Sequence, residues 1–579
     1  MSSSPALDVT ASDEASGPSA LSANDAFNIA HHLPRQAAER PYARAVVIPR
    51  ERGKDGRRAY AQATFLQLNQ LCDRYAHALR AAGVERGQRV LILVKPGAEL
   101  VAVIYAVFKL GAVAVFIDPG MGLKKLVECV ARIEPAAFVG VSRAQAALAL
   151  FGRRALETVK VRALVGGGLG WGALDLDQAA RDLAALGAGG EPFEIAPTRA
   201  SDTAAVLFTS GSTGPAKGVV YQHGMFQAQV DHLREVYGIE PGEVDLPGLP
   251  VFALFSVAFG ATTVFPDMDP TKPAQHDPKL WVEAIEDHGV TYSFGSPAIW
   301  WPVARYCRER GIKLPSLRRV LMAGAPVPPA LHEQLAELLG PDARTHTPYG
   351  ATEGLPVSTI DGETLIETFA ATREGAGTCV GHPLPGVDVR VIAISDEPIA
   401  RFADIEGLGP GERGEIVVAG RQVTQEYCEL PEATAAAKIR EGERVWHRMG
   451  DMGYLDDEGR LWFLGRKSHR VETGSERLYP VACEAVFNEH PKVYRSALVG
   501  IGARGAQTPA IVVEPLAGHF PRGAAAQASF REELAQLAQA HEHTRGIERF
   551  LFHESFPVDL RHNAKIRRGD LAAWASAAR

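Results

Sequence analysis

The spacing of apolar residues changes along this chain in a way that separates helices from strands. From Phe65 to Gly83 leucines and alanines recur at helical spacing, and the run closes at Ala82-Gly83, which predicts a helix stopped by glycine. Val90 to Val94 is apolar throughout and reads as a buried strand, Ala98 to Leu110 as a helix, and Ala112 to Ile117 as a strand. Phe138 to Val141 and Val161 to Val165 continue the alternation, and Ala204 to Phe208 is another such strand. Strands that are apolar on both faces and separated by helices imply parallel sheets covered on both sides, hence an α/β fold.

Further on, the pattern predicts a helix from His223 to Tyr237 and a mixed apolar segment, Leu246 to Phe265, that turns at Pro247-Gly248. A helix from Trp281 to His288 and a strand from Thr291 to Phe294 follow, and then Trp300 and Trp301, adjacent on a helix and therefore pointing apart. Core packing is the expectation for each, with at most one facing a ligand. From Val387 to Val418 the pattern becomes strand-like around the turn Gly407 to Gly411, which predicts a small barrel-like third lobe. Ser529 to Ala540 reads as a helix with a capping box from Ser529 to Glu532 and an apolar side at Phe530, Leu534 and Leu537.

A length of 579 residues exceeds what one core supports, so several domain-sized units are expected. A formal net charge of -7 argues against a broad nucleic-acid-binding face. The six cysteines form no Cys-x-x-Cys pair, which points away from a zinc site or a disulfide framework and toward a reduced, cytoplasmic setting. Residues 1–25 are Ser/Ala/Asp-rich without an apolar signal core and read as a disordered tail. The stretch from Leu100 to Ile117 contains Lys109 and lies between Glu99 and Asp118, so it reads as a buried helix and strand, with no transmembrane segment expected.

Candidate chemistry concentrates in Thr209-Ser210-Gly211-Ser212-Thr213-Gly214-Pro215-Ala216-Lys217-Gly218. Glycines let a backbone approach an anion, hydroxyls donate to its oxygens, and a lysine compensates its charge, so this is a phosphate-holding loop after a strand. It is not the P-loop pattern, because Pro215-Ala216 separate Gly214 from Lys217. A flexible surface linker has similar composition, and segments downstream decide between the two.

Those segments are Met322-Ala323-Gly324-Ala325-Pro326, Tyr349-Gly350-Ala351-Thr352-Glu353, Gly414-Glu415-Ile416, Gly450-Asp451, Gly465-Arg466 and Asn563-Ala564-Lys565-Ile566. In this order they resemble the motifs of the adenylate-forming superfamily of acyl-CoA synthetases, luciferases and adenylation domains. The resemblance implies a large N-terminal domain, 26–465, of two parallel-rich α/β subdomains plus a small β-barrel-like lobe, and a smaller mobile α+β lid domain, 466–579. It also implies ATP and Mg²⁺ as cofactors.

The same resemblance assigns roles. Thr209, Ser210, Gly211, Ser212, Thr213, Gly214 and Lys217 would hold the β- and γ-phosphates. Gly324, Ala325, Pro326 and Gly350 would lie beside adenine, Tyr349 would stack on it, Thr352 would reach the α-phosphate and Glu353 would ligate Mg²⁺. Asp451 would accept from both ribose hydroxyls, Arg466 would contact ribose or phosphate, and Lys565 would bridge carboxylate and phosphate as the adenylate forms. A basic surface run is the other reading of the Lys565 segment.

Two departures bear on the second half-reaction. Where the family shows Pro-Leu-Phe-His ahead of the acyl pocket, this chain has Pro250-Val251-Phe252-Ala253, which suggests a wider pocket. The hinge motif Gly-Arg-x-Asp-Asp-x-Ile-Lys is replaced by Gly465-Arg466-Lys467-Ser468-His469-Arg470-Val471-Glu472. With these changes the chain looks most like the β-lactone synthetases of bacterial long-chain olefin biosynthesis. That resemblance implies a 2-alkyl-3-hydroxyalkanoic (β-hydroxy fatty) acid as substrate. As partners it implies a thiolase-like condensing enzyme, a reductase and a lactone decarboxylase. A fatty acyl-CoA or acyl-carrier ligase and a nucleotide-binding scaffold are the alternatives.

Overall fold

The structure is a computed structural model, and it describes residues 21–169, 172–185, 191–209, 215–558 and 566–578. The continuous apolar runs fold as expected into a seven-stranded sheet. Its spatial order is Leu174–Asp175, Val161–Leu164, Ala137–Gly140, Arg89–Leu93, Val113–Phe116, Thr203–Phe208 and Gly218–Gln222. All neighbours are parallel except the last pair, which runs antiparallel. The sequence between that last pair is the expected phosphate loop, so the loop leaves the carboxyl end of a parallel strand and returns beside it.

The helices over this sheet follow from their sequences. Phe65–Ala81 begins with a capping box: the Gln67 amide donates to Thr64 Oγ1 (3.3 Å) and the Thr64 amide to Gln67 Oε1 (3.0 Å). Ala98–Lys109 is buried on nearly every face. Its terminal Lys109 reaches Asp73 and Asn69 in the interior, which explains a lysine inside an otherwise apolar run. Among the described residues no helix is long and apolar enough to cross a membrane.

A nine-stranded sheet packs beside the first. Its order is His382–Pro383, Gly354–Asp361, Arg344–Ala351, Arg319–Met322, Tyr292–Gly295, Val244–Asp245, Thr262–Val264, Arg44–Arg52 and Arg58–Thr64, parallel through its centre. Trp300 is wholly buried and Trp301 partly so; both pack in this subdomain's core. In the same interior Asp245, Thr263 and Tyr292 share one register row beneath Ser256, whose hydroxyl donates to Asp245 Oδ2 at 2.6 Å. Burial pushes the Asp245 carboxyl up to about 8, and Ser256 pulls it back only in part.

The third lobe is a six-stranded antiparallel sheet, Thr378–Cys379, Leu461–Arg466, Arg444–Leu455, Gly414–Ala419 and Asp388–Ile392, with Lys438–Glu441 added on the long strand. This is the small third lobe that the sequence predicts; its order is open, with its end strands unpaired to each other among the described residues. Between Ile392 and Gly414 the chain holds a 3-10 turn, Phe402–Asp404, instead of continuing as strands. At the base of this lobe the fully buried Glu415 accepts from Arg448 (2.7 and 3.0 Å) and from Lys467 (3.0 Å to each oxygen).

The C-terminal region is α+β. It has a three-stranded sheet, Val493–Ile501, Thr508–Pro515 and Arg549–Phe552, with helices Pro480–Asn488, Ala524–Ala540 and Arg568–Ala577. Ser529 is no helix cap. The helix starts five residues earlier, because Ala524-Ala525-Ala526 after Gly523 (φ +84°) carry helical propensity backwards. Residues 1–20 of the expected tail lie outside the described residues, while Asp25 and Ala23 accept backbone bonds from Ala200 and Ser201.

Candidate active site

The Tyr-Gly-x-Thr-Glu segment folds as the tip of a hairpin. Ala351 pairs with Gly354, which leaves Thr352 and Glu353 as its two turn residues. Gly350 sits at a register shift where a Cβ would stand 2.7 Å from the carbonyl of Gly354, so glycine is required there. The neighbouring parallel strand Arg319–Met322 pairs with the first hairpin strand as far as Leu321 beside His346 and runs into the exposed Gly324, with φ +88°, then Ala325 and Pro326. These loops therefore meet at the carboxyl ends of parallel strands, where open α/β sheets bind ligands.

Tyr349 and the third lobe are joined by a buried carboxylate. The Tyr349 hydroxyl donates to Asp451 Oδ2 at 2.7 Å. Arg466, the register partner of Asp451 on the next strand, places Nη1 3.0 Å from Oδ1. That guanidinium spends its aligned N–H on the Met449 carbonyl at 3.1 Å, so Oδ1 has no hydrogen-bond donor among the described residues. Burial raises the Asp451 carboxyl, opposed by Arg466 and Tyr349. The Asp451 charge in turn raises Arg466. A buried acceptor held in place with one oxygen open suits a hydroxyl-bearing ligand.

On the other side of the tip, Tyr427 ties three segments together. Its hydroxyl donates to Glu353 Oε1 at 2.7 Å, and Lys217 Nζ lies 4.7 Å above its ring. The stretch around it pairs with the strand after the phosphate loop, through a Val219–Tyr427 bridge and a Cys428 amide bond to the Gly218 carbonyl at 2.7 Å. Thr424 donates its amide (2.8 Å) and hydroxyl (3.0 Å) to the Glu353 carbonyl. The buried Tyr221 hydroxyl donates to the Thr352 carbonyl. Lys438, buried in the same place, donates to both oxygens of Thr424. Burial drives its ammonium down to about 7, with Glu353 pulling it up and Lys217 adding to the fall.

The structure thus brings Lys217, Glu353, Thr352, Tyr349, Gly350, Asp451 and Arg466 into one neighbourhood, with Gly324, Ala325 and Pro326 at the same sheet edge. Thr209, at the end of its strand, accepts no part in this contact set beyond an amide bond to the Lys217 carbonyl at 2.9 Å. Ser210, Gly211, Ser212, Thr213, Gly214 and Lys565 lie outside the described residues. Sequence reading missed Tyr427, Tyr221, Thr424 and Lys438. The one available signal was Lys438 itself, a lone charge after three alanines at the start of a strand. Ala253 is buried beside Leu100, Val101, Ile104 and Tyr105.

Two parallel-rich α/β units, an antiparallel third lobe, a C-terminal α+β unit and convergence at one strand edge define an adenylate-forming enzyme fold. Residues 33–428 match the AMP-binding enzyme family, and the chain belongs to that family, whose enzymes are AMP-forming and use ATP. It is 46% identical over 555 residues to the olefin beta-lactone synthetase of Xanthomonas campestris pv. campestris, covering 95% of this chain and 97% of that protein. It is 47% identical over 561 residues to the protein of the same name from Stenotrophomonas maltophilia, covering 96% and 99%. Among solved structures it is similar in fold to the amide bond synthetase of Marinactinospora thermotolerans, with a TM-score of 0.74 at 24% identity, covering 94% of this chain and 99% of that one.

Proposed function

We propose that this enzyme adenylates a 2-alkyl-3-hydroxyalkanoic acid and closes the product to a β-lactone. A carboxylate oxygen bonds to the α-phosphorus of ATP as the bond to pyrophosphate breaks. The substrate's own β-hydroxyl oxygen then bonds to the activated acyl carbon, the bond to AMP breaks, and the hydroxyl proton passes to the departing phosphate or to water. An intramolecular nucleophile has a high effective molarity and needs no second substrate site. The observation that carries this reading is the near full-length similarity to two olefin beta-lactone synthetases.

The residues take roles that their surroundings suit. Asp451, with Oδ2 held by Tyr349 and Oδ1 beside Arg466, receives the ribose hydroxyls; the Arg466 charge opposes the rise that burial gives its carboxyl. Tyr349 stacks on adenine beside Gly324, Ala325, Pro326 and Gly350, and Thr352 holds the α-phosphate. Lys217, with Thr209, Ser210, Gly211, Ser212, Thr213 and Gly214, cradles the outer phosphates, and Lys565 from the lid bridges carboxylate and phosphate. Domains 26–465 and 466–579 close on each other to exclude water, which would hydrolyse the acyl-adenylate.

Glu353 would hold Mg²⁺. Its carboxylate is a hard oxygen donor at a hairpin tip, gripped on one oxygen by Tyr427, and Mg²⁺ takes one or two such carboxylates plus phosphate oxygens. When bound, the ion neutralises charge on the phosphates.

Incubation of the purified enzyme with ATP, Mg²⁺ and a defined β-hydroxy acid, with and without coenzyme A, tests the reading. β-Lactone, AMP and pyrophosphate without coenzyme A are expected. A thioester formed only with coenzyme A, and no lactone, overturns it. The lactone made would then serve a decarboxylase, and the acid would come from a condensing enzyme and a reductase.

A further inference from the structure

A buried lysine without a buried carboxylate partner needs a reason, since desolvating an ammonium costs several kcal/mol and a methionine would fill the same space. Lys438 is 4% exposed, and its hydrogen bonds to protein go to the carbonyl and the hydroxyl of Thr424. In its ammonium form Lys438 only donates, so it sets the direction of that hydroxyl: Thr424 Oγ1 accepts from Lys438 and turns its own hydrogen toward the Glu353 carbonyl, 3.0 Å away. The Thr424 amide reaches the same carbonyl at 2.8 Å. Three residues on, Tyr427 donates to the Glu353 carboxylate. The segment clamped by Lys438 therefore grips Glu353 at its backbone and at its side chain, on a two-residue turn that Tyr221 also holds at the Thr352 carbonyl.

We propose that Lys438 is a positioning residue for the metal-phosphate site: through Thr424 and Tyr427 it holds the Glu353 carboxylate in the orientation that receives the divalent ion bound to ATP. The inference rests on the reading of Glu353 as the magnesium ligand. Residues that orient a ligating group without touching the metal change metal affinity by about 10- to 100-fold when lost. Removing Lys438 leaves Glu353 in place but frees the Thr424 hydroxyl to rotate and the loop to drift, so the site keeps its donor and loses its aim.

The test is calorimetric and needs no turnover. ATP is titrated into the full-length protein in EDTA and in excess Mg²⁺, without acid substrate, and the ratio of the two dissociation constants measures how much the ion contributes. Lys438→Met is expected to lower that ratio about tenfold or more while leaving ATP affinity in EDTA unchanged, and Thr424→Val to lower it in the same direction. A wild-type ratio in Thr424→Val and in folded Lys438→Met, even with a lowered melting temperature, overturns the proposal. Should Lys438→Met fail to fold, Thr424→Val alone decides. Glu353→Gln separates the two layers: a fall in that variant without one in the others sinks the Lys438 role alone, and no fall in Glu353→Gln sinks the magnesium assignment beneath it.

Discussion

Replacing Tyr349 with phenylalanine isolates the hydrogen bond that aims Asp451. The ring stays, so stacking on adenine is kept, and one donor at 2.7 Å is lost from a carboxylate whose side chain is 4% exposed. Water does not reach that oxygen freely, so the full worth of a hydrogen bond to a charged group is at stake, about 1.5–3 kcal/mol, or roughly 10- to 150-fold in affinity. Arg466 remains 3.0 Å from the other oxygen and keeps the loss from becoming total. The pH dependence has a fixed sign. Burial raises the Asp451 carboxyl and Tyr349 pulls it down, so the variant's carboxyl rises further. The ionised carboxylate is the stronger acceptor and can take both ribose hydroxyls, and the acid limb of kcat/KM for ATP therefore moves to higher pH. ATP–pyrophosphate exchange measured against ATP and against the acid, from pH 5 to 9, checks both statements. An unchanged KM for ATP with an unmoved acid limb would refute the assignment of Asp451 as the ribose acceptor.

Lys565→Ala should cut adenylation by several orders of magnitude while ATP still binds, as stopped-flow exchange and calorimetry together would show; near-normal exchange removes the lysine from the reaction. Lys109→Met strands Asp73 in the interior and should cost about 3–5 kcal/mol, read from the urea midpoint. For Asp245 the folded carboxyl titrates near 8 against 3.8 for the free side chain, so its protonated form stabilises the fold and that stability drains away as pH climbs through 8. Asp245→Asn does not titrate, and its stability relative to wild type should grow by about 4 kcal/mol between pH 5 and pH 8. Melting temperatures of the pair across that range would expose a flat difference if Asp245 were ionised throughout.

How much of this was readable in advance depended on what kind of signal each residue carries. Thr203–Phe208 and His223–Tyr237 were visible because an unbroken apolar run and a helical stripe leave few alternatives. Lys217 stood out because the glycines and hydroxyls beside it suit a phosphate, whereas Glu353, Asp451 and Arg466 were marked by the order of motifs that resembles the adenylate-forming superfamily. Tyr427 and Thr424 sit in a loop with no periodicity, and their importance lies in reaching across to a hairpin about seventy positions away in the chain, which no local pattern encodes. Ser529 shows the opposite failure, a valid capping pattern overridden by three alanines upstream.

The Glu415 carboxylate at the base of the third lobe also constrains how the last hundred residues can travel. Lys467 is pinned to it, and three residues later Arg470 is pinned again, to Asp396 of the same lobe. The stretch between them is a short 3-10 turn, so the joint is a bolted bracket instead of a loose string. Its inner bolt is mostly buried and little screened by salt; its outer one, on a half-exposed aspartate, is screened more. Any displacement of the residues beyond Arg470 would have to break these contacts, and ionic strength should weaken the half-exposed pair first.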